Sequence, residues 1–396
     1  MSNTILTPTA VTRKALAILH QKLNFIGSIN RQYDNSFAQT GAKIGSSLSI
    51  RLPNQYTVSS GAALSTQDTS ETSTSLTVTN QKHVDVTFTS AELTLSMDDF
   101  SERILEPAMS VLAANIEADA LSMALDVYQA VNNVGSALTL NKALAARKML
   151  VDALAPGDKR VLLLNTQDNL DLVDGLKGLF QDSNEIAKQY REGKVGRTAG
   201  FGDIYENTLL ASQATGTAES ATTYTVNGAG QTGAAVTVAT GTTTFKKGDI
   251  ITFAGCNRVH PETKADTGAL QQFVVTADYA GGAGNIAVSP SIVASGARQN
   301  VSASPTNGGA VTKVGGASAV YKPSLAFHKD AFTFATADLE DVSKYGAWGA
   351  REVFDGISMR VARQYAISTD TIPCRIDVLY GYKTIRAQLA ARILSN

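Results

Sequence analysis

Phe245-Lys246-Lys247-Gly248-Asp249-Ile250-Ile251-Thr252-Phe253-Ala254-Gly255 reads as a turn followed by a short apolar strand and a second turn. It is one of a series. Tyr224-Thr225-Val226, Ala235-Val236-Thr237-Val238 and Phe273-Val274-Val275 have the same build, and Gly, Asn or Pro separates each run from the next. Short strands at regular spacing with turn signals between them predict an all-β barrel or sandwich. The composition agrees. About 16 of the 32 glycines lie between Ala214 and Val320, where charged residues fall to roughly one in ten. A segment of about 105 residues can fold independently. Asn207-Thr208-Leu209-Leu210 before it and Leu325-Ala326-Phe327-His328 after it return to a mixed style, so the segment reads as a β-domain inserted into a loop of another domain.

The flanks are α+β. Thr7-Pro8 marks a helix start, followed by Val11, Ala15, Ile18, Leu19 and Leu23 at helical spacing. This first segment is basic: Arg13, Lys14, Lys22, Arg31, Lys43 and Arg51 stand against Asp34. It is either a solvated helix face or an arm that lies on an acidic partner or a neighbouring subunit. Ser47-Leu48-Ser49-Ile50-Arg51-Leu52, Leu76-Thr77-Val78 and Val84-Asp85-Val86-Thr87-Phe88 alternate as strands do, around a Ser/Thr/Gly-rich stretch from Ser59 to Ser75. This predicts a long two-stranded arm with a polar tip. Ser96 with Asp98 and Asp99 signals a helix start, and Pro107 is expected to break or kink that helix. Leu112, Ile116, Ala120, Met123 and Val127 then predict a helix of roughly 25 residues, about 37 Å long. Thr139 is expected to cap another helix that ends at Pro156-Gly157-Asp158. Val161-Leu162-Leu163-Leu164 reads as a buried strand, and Gln167 to Tyr190 as a helical pair. Phe332-Thr333-Phe334, Ile357 to Val361 and Arg375 to Tyr380 read as strands.

Composition excludes several function classes. The chain has 396 residues and a formal net charge of -1, with 34 Lys+Arg against 35 Asp+Glu. That balance argues against a dedicated nucleic-acid or membrane coat. Two cysteines far apart give neither a disulfide framework nor a cysteine zinc site. The beginning of the sequence lacks the basic and apolar regions of a targeting signal. No run reaches about 18 uninterrupted apolar residues, so no membrane partner is expected.

Catalytic motifs fail on context. Gly228-Ala229-Gly230-Gln231-Thr232-Gly233 is formally GxGxxG, but a strand pattern follows it where a dinucleotide site needs a helix N-terminus. His20, His83, His260 and His328 are isolated, and Cys256 near His260 lacks a second ligand pair. Glu117 and Asp119 are two apart on a helix and point to different faces. No GxSxG elbow occurs. The expectation is a non-enzyme with no catalytic, cofactor or metal residues and no cofactor.

Other stretches carry a family likeness. Phe327-His328-Lys329-Asp330-Ala331-Phe332-Thr333-Phe334-Ala335, Ala350-Arg351-Glu352, Gly356-Ile357-Ser358-Met359-Arg360 and Cys374-Arg375-Ile376-Asp377-Val378-Leu379-Tyr380-Gly381 resemble the C-terminal region of podovirus major capsid proteins of the Salmonella-phage coat type. Tyr190-Arg191-Glu192-Gly193 with Ala199-Gly200-Phe201 resembles the segment before that family's inserted domain, and Phe245 to Gly255 resembles the start of the insertion. The resemblance implies the Hong Kong 97-type capsid fold. Its parts would be an N-terminal arm (1–45), an extended β-hairpin loop (46–95) and a peripheral domain with a spine helix (96–134). An axial domain (135–212), an inserted β-barrel domain (213–325) and the remainder of the axial and peripheral domains (326–396) would follow.

The implied function is a major capsid protein of a tailed double-stranded DNA phage, self-assembling into an icosahedral procapsid and capsid that encloses the genome. The implied partners are further copies in pentamers and hexamers, a scaffolding protein, a portal protein and packaged double-stranded DNA held non-specifically. The place is the virion capsid, assembled in the host cytoplasm. The expected subunit contacts are Arg13, Lys14, Arg51, Tyr56, Asp68, Glu71 and Phe88. One departure is visible: Ala387 stands where the family usually has Pro after the last Leu-Tyr-Gly motif. Two rival readings stay open: an encapsulin-like nanocompartment shell protein, and a β-rich surface or carbohydrate-binding protein.

Overall fold

The computed structural model describes residues 23–32, 47–69, 71–89, 106–176, 199–340, 342–346, 348–354 and 357–395. The Thr7-Pro8 start, the Ser96 cap and the stretch Tyr190-Arg191-Glu192-Gly193 lie outside them. The chain divides into two compact units. One comprises 1–50, 73–121 and 332–385; the other comprises 51–72, 122–331 and 386–396.

The first unit is organised by the strand Thr371–Thr384. One of its edges pairs antiparallel with Asn80–Thr89; the other pairs first with Ile357–Arg363 and then with Phe332–Ala337. Trp348–Phe354 extends the sheet beyond Ile357–Arg363. The alternation in Val84 to Phe88 therefore marks a strand, but not the partner expected for it. Ser47–Arg51 pairs with Ser73–Thr77 in a separate two-stranded ribbon, and the next run crosses to the strand Thr371–Thr384. Alternation fixes which side chains face the core, and the pairing edge follows from tertiary packing. The ribbon is seated by Ile50, Leu76 and Val78 against Ala335 and Leu379.

The helix Glu106–Leu121 continues as a tight 3-10 turn over Ser122–Asp126. Pro107 is the second described residue of this helix, and the run from Ser96 that it is expected to break lies outside the described residues. The run Pro107–Asp126 is apolar and long enough to cross a membrane by composition, and two of its acids bond to other elements of the first unit. Glu117 accepts the backbone N–H of Phe25 at 2.9 Å, and Asp119 accepts Lys82 at 2.9 Å and the Tyr380 hydroxyl. The short helix Asn24–Ser28 buries Phe25, whose ring meets the edge of Phe332 at 5.6 Å.

The second unit holds a five-stranded sheet in the order Ala130–Asn132, Ala390–Leu394, Ser324–His328, Arg160–Leu164, Asp203–Glu206. Three of these strands, Arg160–Leu164, Ser324–His328 and Ala390–Leu394, are buried along their whole length. The run Val161 to Leu164 is thus the buried strand its composition predicts. Helix Leu140–Asp152 starts after Thr139, whose side chain makes no capping hydrogen bond. The helix stands instead on buried Ala143, Ala146 and Leu150. Of the helical pair expected over 167–190, Thr166–Leu176 is a helix, and 177–190 lies outside the described residues.

The same unit contains a closed six-stranded barrel, in the order Ile250–Val259, Asp266–Val275, Gly284–Ile292, Gly233–Ala239, Ala221–Val226, Ala310–Val314. Closure leaves no open edge. Its interior is filled by Tyr224, Phe245, Phe253, Phe273 and aliphatic neighbours. Gly228 to Gly233 is the turn between two antiparallel strands, with positive φ at all three glycines, and the strand Gly233–Ala239 follows where a nucleotide site would need a helix. Gly241 admits no side chain: a Cβ there would sit 2.1 Å from the Tyr224 ring. A two-residue ladder, Gln213 to Tyr321 and Ala214 to Val320, closes the base of the segment.

Candidate assembly surfaces

Two kinds of feature stand out: buried polar networks that fix each unit, and an exposed loop that holds large apolar side chains in solvent. In the first unit, the fully buried Asp377 accepts Arg360 through Nη2 at 2.6 Å and Nε at 3.1 Å, Arg375 Nε at 3.2 Å and Gln81 Nε2 at 2.8 Å. A buried carboxylate is tolerated only when its lone pairs are filled in this way. The adjoining Tyr380 phenol is pushed far above its ordinary pKa by burial and then by the hydrogen bond to Asp119.

In the second unit, the wholly buried Arg392 donates to Gln213 Oε1 at 2.7 Å and to the Gly248 carbonyl at 2.8 Å. Burial pulls its pKa down to about 10. Asp249 accepts the N–H groups of Gly216 and Lys246 at 3.0 and 2.9 Å. Lys313 donates to the carbonyls of Gly216, Ala218 and Gly316, with its pKa lowered by burial. This network ties the strand Ala390–Leu394 to the foot of the barrel, inside one compact unit. A second buried set, Asp168 with Asn165 and Ser324, joins helix Thr166–Leu176 to the strand Ser324–His328. Burial raises the Asp168 pKa, and the hydrogen bonds from Ser324 and Ser395 offset part of that rise. These polar groups are spent on holding backbone and secondary structure together.

Among the described residues, no group of three His, Cys, Asp or Glu side chains could hold a metal ion. Cys256 lies in the barrel core, and burial pushes its thiol up to about 12. His260 Nδ1 accepts the N–H groups of Glu262 and Thr263, so it shapes a turn.

The exposed feature is the loop between Arg51 and Thr72. Arg51 and Glu71 are brought together as an ion pair at 3.1 Å, and the Leu52 N–H meets the Thr72 carbonyl at 2.8 Å. Further out, Gln67 Oε1 accepts both the N–H and the hydroxyl of Thr57, at 2.9 and 3.0 Å, while its amide donates back to the Thr57 carbonyl. The loop is thus latched to itself. Beyond the latch, Val58 and Leu64 are 96% and 91% exposed, and Tyr56 is 56% exposed. Asp68 is exposed beside them. Sequence reasoning picked out Tyr56, Asp68, Arg51 and Glu71 here but passed over Val58 and Leu64. Their signal was available: each is a large apolar residue in an otherwise small and polar stretch. Phe88 sits elsewhere, paired through its backbone with Ile372 inside the first unit's sheet. Arg13 and Lys14 lie outside the described residues.

The family model described as "P22 coat protein - gene protein 5" matches residues 26–392. The chain belongs to the P22 coat protein family. It is accordingly a major capsid protein of a tailed phage, a structural component of the virion. The match runs through both units and the barrel, so the coat-protein relationship covers nearly the whole described chain. No curated protein sequence matches this coat protein. Its fold is similar to the solved structure titled "Mycobacterium phage Che8", at 14% identity and a TM-score of 0.48, over 92% of this chain and 89% of that one. The mature capsid of bacteriophage PhiM1 is similar at 10% identity and TM-score 0.46, covering 93% and 87% of the two chains. A virus-like particle from Pyrococcus furiosus is similar at 8% identity and TM-score 0.41, covering 97% and 98%. The family assignment rests on the family match and on none of these likenesses.

Proposed function

We propose that this coat protein builds an icosahedral shell of pentamers and hexamers, first as a procapsid formed in the host cytoplasm with scaffolding and portal proteins, then as the capsid around packaged double-stranded DNA. In this reading the chain has the parts of a Hong Kong 97-type subunit. Residues 46–95 contain the extended loop, the helix beginning at Glu106 is the spine, the sheet on Thr371–Thr384 is peripheral, the five-stranded sheet is axial, and 213–325 is an inserted barrel domain. The work is non-catalytic.

The observation that carries the reading is the Arg51–Thr72 loop. Val58 and Leu64 are almost fully exposed on a loop whose shape is set by its own hydrogen bonds. An apolar side chain held out on a protruding segment gains about 1.5–3 kcal/mol if a second surface covers it. Repeated at every subunit of a shell, that gain favours assembly. Arg51, Tyr56, Asp68 and Glu71 are the polar rim of the same contact. Co-expression with the scaffolding protein tests the reading. Closed particles in negative-stain micrographs support it, and monomers alone under assembling conditions overturn it.

A further inference from the structure

A groove in the second unit runs between helix Leu140–Asp152 and the barrel strands Ile250–Val259 and Asp266–Val275. It has two lobes, each of about 280 Å³, that share Tyr128, Gln129, Asp152, Arg258 and Gln271. None of the residues in the networks described above lines it.

Its charge is one-sided. Lys148, Arg258, Lys264 and Arg298 line the two lobes against a single carboxylate, Asp152. Asp152 already accepts Lys148 at 2.9 Å and Arg258 at 2.8 Å. Lys264 donates to the carbonyls of Pro261 and Gln299, at 2.6 and 3.3 Å, which leaves its charge uncancelled. An anion is the complement of such a lining.

The floor asks for a donor as well. Gln129 is only 4% exposed; its amide nitrogen donates to the Gln388 carbonyl at 2.6 Å, which fixes its orientation. Its carbonyl oxygen is buried with no hydrogen-bond partner among the described residues. Buried acceptors are almost always paired, so an orphan in a groove marks the place of an incoming N–H. A small anion brings no donor and fills one lobe. A peptide brings backbone N–H groups along its length.

We propose that this groove binds an extended peptide segment of a partner protein that carries a carboxylate side chain. The carboxylate meets Arg258 and Lys264, and a backbone N–H meets the Gln129 carbonyl oxygen. This goes beyond shell formation and is read on the unassembled subunit, so its failure leaves the coat-protein reading standing.

The test uses the full-length subunit on an array of heptapeptides with Glu fixed at the centre and the other positions varied, beside a twin array with Gln at the centre. The expected result is capture on the Glu array at least about five-fold above its twin. Lys264→Gln should abolish that difference and Lys264→Arg should keep it, while Gln129→Leu should lower capture on both arrays, with melting temperatures confirming that all variants fold. Equal capture on both arrays, no capture on either, or full displacement by millimolar inorganic phosphate would each overturn the proposal, the last by showing a small-anion site.

Discussion

Arg360 and Asp377 lie on neighbouring strands of the first unit, and the guanidinium meets the fully buried carboxylate through two nitrogens, at 2.6 and 3.1 Å. Arg375 and Gln81 complete the shell around the same carboxylate. Three strands therefore converge on one acid. Asp377→Ala would strip Arg360, Arg375 and Gln81 of their shared acceptor and leave Arg360 with only the Glu340 carbonyl, a loss of about 3 kcal/mol. Asp377→Asn keeps the shape but accepts fewer charged donors, and should fall between the two. Urea unfolding of the purified subunit measures this; a loss under about 1 kcal/mol for Asp377→Ala would show that solvent reaches the site.

Arg392 poses the opposite problem, because burial opposes its charge while two acceptors hold it in place. Arg392→Met removes the desolvation cost but leaves Gln213 Oε1 and the Gly248 carbonyl without donors. The lost charge-assisted bonds outweigh the relief, for a net loss of about 2 kcal/mol. Adding Gln213→Leu should cost less than it does alone, because the orphaned acceptor disappears together with the Gln213 bond to Asp249 at 3.3 Å. A double-mutant cycle with strictly additive losses would reject this coupling.

Gly381 sits where the strand Thr371–Thr384 passes the ribbon. A Cβ there would lie 2.0 Å from the Thr77 carbonyl oxygen, a backbone atom that cannot swing away. Gly381→Ala should therefore push the ribbon off the sheet and cost about 1–3 kcal/mol. Protease cutting between Ser73 and Thr77, rare in the parent, should rise in the variant. An unchanged digestion pattern would mean the ribbon shifts without loss.

Asp152 gives the chain a predictable acid response. Burial alone would raise its pKa, but the hydrogen bonds from Lys148 and Arg258 outweigh that and hold it below the usual carboxylate range. A depressed folded pKa means the ion pairs stabilise the protein above the unfolded value and stop doing so as pH falls through the folded one. Asp152→Asn should thus melt lower than the parent at pH 7, with the gap closing from about pH 4 downward. A gap that stays constant down to pH 2 would assign the loss to packing.

Some of this architecture is legible in the residues, and some is not, for a physical reason. The barrel can be read because each strand carries its own alternation and its own turn glycine, as in Ala235-Val236-Thr237-Val238 after Gly233. The buried strand Val161–Leu164 can be read because four apolar residues in a row have no solvent face. Pairing cannot be read the same way. Val84 to Phe88 shows its strand period, yet its partner is almost 300 residues on, at Thr371–Thr384. Arg392, Asp249 and Lys313 look like ordinary surface charges in sequence, because burial of a charge is decided by partners that only the fold assembles. Of the residues proposed to make contacts, Arg51 and Glu71 stand out by charge, whereas Val58 and Leu64 are hidden by the polar stretch around them.

Those two side chains also separate folding from assembly. Val58 and Leu64 bury nothing within their own chain, so Val58→Ser and Leu64→Ser should change subunit stability by no more than about 0.5 kcal/mol. The latch through Thr57 and Gln67 should persist, since neither substitution touches its hydrogen bonds. Assembly is different. If a neighbour covers both residues, each substitution forfeits about 1.5 kcal/mol or more per subunit, roughly a ten-fold change in each contact's equilibrium constant. The concentration at which light scattering first reports particles should rise, and the double variant should stay unassembled where the parent assembles. Circular dichroism melts taken on the same samples supply the control. Parent-like scattering from the double variant would show that these residues remain exposed in the finished shell, and the contact would then have to be sought at the Arg51–Glu71 base of the loop.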